Sequence, residues 1–245
     1  MMRTEVAVGG EKLQTADCRP PTAFKNMIVS KQKPIDEILA VLADDGKIFL
    51  IGCAKCATVC KAGGEEEIWQ MQDTLTAAGK EVTGSVVIDE ACHMLRSGRD
   101  LRAKKEMVDE ADALLVLACG AGIQSVSAST PKKTVAGLNT LFLGNIRRFG
   151  HFEQKCSLCG DCILTETGCI CPVTVCPKGL LNGPCGGMDN GRCETDKERE
   201  CVWSQIYERL KARDALDKLK KTVSQKDYSG MLKPGTLKLE KEIPR

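Results

Sequence analysis

Three regularly spaced cysteines give the chain its clearest chemical signature. Cys156, Cys159 and Cys162 form a C-x2-C-x2-C run, and thiolates at this spacing wrap one iron–sulfur cluster in bacterial ferredoxins. The ferredoxin pattern is incomplete, because Glu166 stands where its fourth cysteine would fall. The spacing therefore predicts a 4Fe–4S site whose fourth ligand comes from further along the chain.

Five more cysteines follow this triplet in a segment rich in glycine and proline. They are Cys169, Cys171, Cys176, Cys185 and Cys193. Cys171 and Cys176 each precede proline, as the last cysteine of a ferredoxin run does, and we assign Cys176 to the cluster of the triplet. The other four are predicted to bind metal as well, as an additional cluster or a zinc site. The alternative for all eight thiols is one or two closed zinc sites with four thiolates each.

A second group of cysteines lies in the N-terminal part. Cys53, Cys56 and Cys60 begin where a predicted strand ends, and Cys92 and Cys119 follow the next two predicted strands. Ligands bind at the carboxyl ends of parallel strands, so these five thiols should converge there. We expect Cys119 to complete a four-thiolate cluster site, since two nearby glycines allow close backbone approach. Cys92 is the alternative ligand, and either residue could instead be a small buried apolar side chain.

An alternation of strand and helix patterns predicts the domain that positions this group. Continuous apolar runs predict buried parallel strands at residues 47–52, 82–89 and 113–118, with a fourth strand at residues 140–143. Apolar residues at helical spacing predict helices at residues 34–42, 63–78 and 99–111. Strands separated by helices indicate an α/β fold of parallel βαβ units with right-handed crossovers.

The rest of the chain divides at the cysteines. We predict an α/β domain at residues 1–150, a loop-dominated metal-binding domain at 151–194, and a C-terminal helix with an extended tail at 195–245. The helix is predicted over residues 195–222. Its apolar face, with Trp203 and Tyr207, and the tail are candidates for docking a partner, since aromatic residues are enriched at interfaces. The alternative is that this face packs against its own domain.

Composition excludes several classes of function. The chain has 15 cysteines in 245 residues, a net charge of +2 and only 4% aromatic residues, so it lacks the basic surface and stacking residues of nucleic-acid-binding proteins. No apolar run reaches the ~20 residues that span a membrane, and no secretory signal is recognisable. We expect a cytoplasmic protein, where clustered cysteines hold metal rather than form disulfides. Cys18 and Cys201 lie outside both groups, and Cys201 is expected to serve packing.

No catalytic residues are predicted. The chain has no P-loop motif, and Ser125 replaces the third glycine that a dinucleotide-binding motif after Cys119 would need. His93 and His151 have no recognisable catalytic partners. Cysteine sites without a nucleophile, an acid–base pair or a substrate pocket suggest electron relay, because a cluster carries the redox change itself.

Four segments of the cysteine-rich part resemble the MetV family, the small iron–sulfur subunits of methylenetetrahydrofolate reductase in acetogenic bacteria. The family is also known as the methylenetetrahydrofolate reductase C-terminal family. The segments are Cys-Pro-Val-Thr-Val-Cys-Pro-Lys-Gly-Leu at 171–180, Asn-Gly-Pro-Cys-Gly-Gly at 182–187, Gly-Arg-Cys-Glu at 191–194 and Cys-Val-Trp at 201–203. The likeness extends over nearly the whole chain, and residues 182–187 are its most specific part.

The resemblance implies a partner and a place in one-carbon (Wood–Ljungdahl) metabolism. The partner would be a MetF-type TIM-barrel subunit with FMN, which reduces the methylene group of methylenetetrahydrofolate to methyl. The chain would pass electrons to that flavin from an upstream donor complex, without binding folate, through two 4Fe–4S clusters. The alternative hypothesis is a structural zinc scaffold with no redox role. A free-standing oxidoreductase is disfavoured, because no substrate or flavin site is visible.

Overall fold

The computed structural model describes residues 27–148, 150–231 and 233–237. Cys18 and the last part of the predicted tail lie outside these ranges. The helices and strands are, in chain order, β1 Ile28–Gln32, α1 Ile35–Val41, β2 Lys47–Cys53, α2 Cys56–Val59, α3 Glu65–Ala77, β3 Glu81–Ile88, α4 Met94–Ala103, α5 Lys105–Glu110, β4 Ala113–Leu117, α6 Gly120–Ser127, β5 Lys133–Ala136, β6 Leu138–Arg148, β7 His151–Gln154, α7 Pro172–Val175 and α8 Val202–Lys211.

A four-stranded parallel sheet forms the centre of the N-terminal part. Its strand order is β3-β2-β4-β5, and β2 and β4 are hydrogen-bonded neighbours. Both strands are almost completely buried, as their continuous apolar runs require, because helices cover the faces of the sheet. The predicted mixed α/β fold and its parallel sheet are therefore confirmed.

A second, antiparallel sheet corrects the predicted fourth strand. The fourth parallel strand is β5, whereas residues 140–143 lie in β6, which pairs with β1 on one side and β7 on the other. β5 has four residues, of which only Val135 is buried, so its sequence contains no apolar run. Of the two partners of β6, β1 is far away in the chain, and this pairing has no local signal.

Two helices also differ from their predicted extents. The helix predicted at residues 99–111 is two helices, α4 and α5, because Lys104 between them has a non-helical φ of −113° and ψ of 22°. The helix predicted at residues 195–222 is α8 followed by a 3-10 helix at Leu216–Lys220. Asp214 lies between them with a φ of 51°, in the left-handed region that an α-helix cannot continue through.

The apolar face of α8 packs within the chain and is covered by it. Val202, Trp203, Ile206 and Leu210 are buried in a small core of their own, and the cysteine-rich segment contributes Val175, Met188 and other side chains to it. This face is therefore not open for docking a partner, whereas Tyr207 on the same helix is exposed. In the described part of the chain, no helix is both long enough and apolar enough to cross a membrane.

Candidate metal centres

A cleft at the carboxyl end of the parallel sheet brings four of the N-terminal thiols together. Cys53 ends β2, Cys56 begins α2, Cys92 follows β3, and Cys119 caps the N-terminus of α6 just beyond β4. All four line one cleft of about 930 Å³. The positions follow from the topology, since parallel strands end at the same edge of the sheet.

Hydrogen bonds tie the first cysteine loop to the sheet. The Cys53 N–H donates to the Gly63 carbonyl at 2.8 Å, and the Thr58 hydroxyl donates to the Cys53 carbonyl at 2.8 Å. A Cβ at residue 63 would lie 2.0 Å from the Leu117 carbonyl oxygen. Glycine is therefore required where this loop crosses the end of β4, and the loop has little freedom to move.

Burial and mutual repulsion disfavour thiolates in this cleft. Burial raises the pKa of Cys56 above its ordinary value, and the neighbouring Cys119 and Cys53 add to the increase. Burial raises the pKa of Cys60 and of Cys92 as well, each with a contribution from Cys119. The Cys60 thiol donates to the Ile28 carbonyl at 3.8 Å. Several soft donors facing one space match the all-thiolate ligand set of an iron–sulfur cluster.

Leu158 lies within the cysteine triplet of the C-terminal part and also lines the N-terminal cleft. Its side chain lines the cleft together with Cys53, Cys56, Cys92 and Cys119, although 65% of the residue is exposed. Its backbone N–H lies 3.4 Å from the sulfur of Cys156. The loop of the cysteine triplet therefore reaches the cleft of the N-terminal cysteines at Leu158.

The chain beyond α8 returns to cover the triplet loop. Lys226 is buried, and its Nζ lies 3.6 Å from Oδ2 of Asp161. Burial opposes the charge of Lys226, but the adjacent Cys159 and Asp161 hold its pKa above the ordinary value. Gly160 and Gly230 are in backbone contact, since a Cβ on Gly160 would lie 2.9 Å from the Gly230 Cα. The tail thus places a positive charge beside the triplet.

Cys171 is connected to the triplet loop by hydrogen bonds. Its sulfur lies 3.4 Å from the Thr174 hydroxyl, which in turn lies 3.0 Å from the Ser157 hydroxyl. Cys176, which we assigned to the triplet, is at the opposite end of α7 and lines a different cavity. The structure therefore places Cys171 next to the triplet and Cys176 with another set of cysteines.

This other cavity is small and sulfur-lined. Cys176, Cys185, Cys193 and Cys201 all line it, and its volume is about 20 Å³. A hydrogen bond with Thr195 lowers the pKa of Cys193 below its ordinary value. Sequence reasoning left Cys201 out of the metal sites because of its apolar helical neighbours, and its burial in the α8 core agrees with packing.

The cysteines share cavities without forming a finished coordination sphere. Within the described ranges, no three His, Cys, Asp or Glu side chains are grouped closely enough to hold a metal ion. Cys169 is exposed, has a φ of 66° and lines neither of the two cysteine cavities. A bound metal would have to draw the surrounding thiols toward itself.

Comparison with known proteins gives one match. Residues 135–229 match the family model described as methylene-tetrahydrofolate reductase C terminal. This range begins in β5 and includes the cysteine-rich segment, α8 and Lys226. No curated protein and no solved structure matches the chain.

Proposed function

We propose that the chain is a MetV-type iron–sulfur subunit, because residues 135–229 match the family model described as methylene-tetrahydrofolate reductase C terminal. It receives electrons from an upstream donor and delivers them to the FMN of a MetF-type reductase subunit. That partner reduces methylenetetrahydrofolate to methyltetrahydrofolate. The chain itself binds no folate and contributes no catalytic residue.

The donor sets fit two 4Fe–4S clusters. Cys53, Cys56 and Cys60 with Cys119 would hold one cluster in the N-terminal cleft. Cys53, Cys56 and Cys119 line this cleft, whereas Cys60 does not and would have to turn from the Ile28 carbonyl. Cys156, Cys159 and Cys162 would hold the other, and Cys171 is the neighbouring thiol available as a fourth ligand. A bound 4Fe–4S cluster supplies one-electron redox chemistry, and the protein adjusts its potential through burial, charge and hydrogen bonds.

The observation that carries this proposal is the position of Leu158. Its side chain lies at the N-terminal cleft and its backbone N–H at Cys156. Electron relay needs neighbouring redox centres, and the approach of the triplet loop to the N-terminal cleft supports two centres that lie near each other. A structural scaffold has no need for its two metal sites to adjoin.

Metal analysis of anaerobically purified protein tests the proposal directly. We expect iron and acid-labile sulfide for two clusters, with a broad visible absorption that bleaches on addition of dithionite. Co-expression with a MetF-type subunit should give a complex in which dithionite-reduced chain reduces the flavin. Colourless protein that contains zinc but no iron would instead support the scaffold hypothesis and contradict electron transfer.

Replacing Lys226 by methionine should lower the reduction potential of the C-terminal cluster. A buried positive charge beside Cys159 favours the reduced, more negative cluster, and methionine keeps the volume without the charge. We expect about a tenfold change in the ratio of reduced to oxidised cluster, equivalent to ~59 mV for one electron. Electron paramagnetic resonance during a redox titration measures this shift.

Two further variants make the Lys226 experiment specific. Lys226→Arg keeps the charge and should keep most of the potential. Lys221→Met removes a charge from an exposed position and should leave the potential unchanged. An unaltered potential in Lys226→Met would show that this ammonium group does not act on the cluster.

A further inference from the structure

Four cysteines from separate turns line the small cavity beside α8. Cys176 ends α7, Cys185 lies in the Gly-Pro-Cys-Gly-Gly loop, Cys193 follows that loop, and Cys201 caps the N-terminus of α8. All four line a cavity of about 20 Å³. That volume accommodates about one water-sized sphere.

We propose that Cys176, Cys185, Cys193 and Cys201 form a tetrahedral zinc site. Four thiolates with no open position are the ligand set of structural zinc, and the cavity has room for a single ion. The four ligands are separate from the cysteines of both proposed clusters. The zinc site therefore does not depend on the electron-transfer function.

The backbone at two of the four cysteines, Cys176 and Cys185, is already arranged in tight turns. The Gly179 N–H donates to the Cys176 carbonyl at 2.9 Å, and the Met188 N–H donates to the Cys185 carbonyl at 3.2 Å. Cys176 and Cys185 thus each begin a turn of the same kind, with a glycine within the next three residues. Two loops that start at a cysteine and turn back at once can present both sulfur atoms to the same ion.

An antiparallel contact places the other two cysteines on one face of a short ladder. Arg192 forms a β-bridge with Glu200, and Cys193 and Cys201 lie on either side of this bridge as a diagonal pair. The Cys193 N–H donates to the Arg199 carbonyl at 2.9 Å, and the Cys201 N–H donates to the Gly191 carbonyl at 2.7 Å. Although the two cysteines are eight residues apart in sequence, these hydrogen bonds hold the two segments that carry them against each other.

Nearby charged groups suit a thiolate site. A zinc ion with four thiolates has a net charge of −2, and the Lys178 ammonium forms an ion pair with Glu194 beside Cys185. Arg199 also lines the cavity. The Cys185 thiol now donates to the Glu194 carboxylate at 3.2 Å, and this hydrogen bond is given up when zinc displaces the proton.

The site gives Cys201 a second role. Cys201 is buried in the α8 core, where it contributes to packing. As a zinc ligand it would also fix the N-cap of α8 to the loops that contain Cys176 and Cys185. The metal would then stabilise a segment that has few regular elements of its own, because zinc binding adds directly to the free energy of folding.

The test uses full-length protein purified anaerobically from zinc-supplemented cultures. We expect one zinc per chain by elemental analysis, with four sulfur neighbours at about 2.3 Å by zinc-edge X-ray absorption. Cys201→Ser should lower the zinc content at least tenfold while leaving the iron content unchanged. Cys169→Ser is the matched control, because this cysteine is exposed and lies away from the cavity, and it should retain full zinc.

Cys185→Ser is a second test variant. It is needed because misfolding at the N-terminus of α8 would also make Cys201→Ser lose zinc. It lies in a loop outside the α8 core and should lose zinc in the same way. Full zinc occupancy in both variants, a first shell with fewer than four sulfur atoms, or loss of iron in place of zinc would overturn the proposal. Absence of iron from the wild-type protein would refute the electron-transfer function but leave the zinc result standing.

Discussion

Serine in place of Cys56 should remove the cluster that we propose for the N-terminal cleft and stop electron delivery to the flavin of the proposed partner. The residue begins α2 and is partly buried among the other thiols of the cleft, and a serine hydroxyl does not replace a thiolate ligand. Iron per chain should fall by about half, and flavin reduction by more than the ~10- to 100-fold that outer-shell changes typically cost.

The same measurements on Cys119→Ser and Cys92→Ser identify the fourth ligand. If Cys119 completes the site, its variant should behave like Cys56→Ser, and Cys92→Ser should retain the iron. Cys156→Ser should remove the other cluster and leave the N-terminal one intact. Loss of both clusters from a single substitution would contradict two independent sites, and unchanged iron in Cys56→Ser would contradict the ligand assignment.

Trp203→Ala should destabilise the C-terminal part by about 3–5 kcal/mol, the usual cost of truncating a buried aromatic side chain. Trp203 is 6% exposed in the α8 core, and its indole N–H donates to the Leu180 carbonyl at 3.1 Å. Denaturant unfolding under anaerobic conditions measures the loss. Since α8 supports the cysteine-rich loops, metal content should fall as well.

The chain contains its own control for this prediction. Trp69, the only other tryptophan, is 64% exposed on α3, so Trp69→Ala should change the free energy of unfolding by less than about 0.5 kcal/mol. Trp203→Phe keeps most of the packing and should cost about 1 kcal/mol for the lost hydrogen bond. Equal effects at Trp203 and Trp69 would refute a structural role for the α8 core.

The sequence predicts the central strands well because of how they are buried. β2 and β4 are covered on both faces, so their apolar runs are continuous and unmistakable. β5 lies at the edge of the sheet and β6 belongs to a sheet with polar residues on much of its surface. The sequence of such strands does not indicate their partners, and the second sheet could not be predicted.

For the cysteines too, the sequence indicates which residues meet in the N-terminal group but not in the C-terminal group. Convergence of Cys53 and Cys119 could be predicted because both follow parallel strands of one sheet. The cysteines of the C-terminal loops do not follow strands of a shared sheet. Backbone turns determine which of their sulfur atoms meet. The proline that follows Cys176 therefore associated it with the triplet, whereas Cys171 is linked to Ser157 through Thr174 of the short helix α7. Leu158 and Lys226 have no local signal that would single them out.

The contact between Gly160 and Gly230 joins two segments that lie far apart in the chain. A Cβ on Gly160 would lie 2.9 Å from the Gly230 Cα, and a Cβ on Gly230 would lie 3.1 Å from the Gly160 Cα. Neither position can therefore accept a larger residue unless the C-terminal segment moves away from the triplet loop.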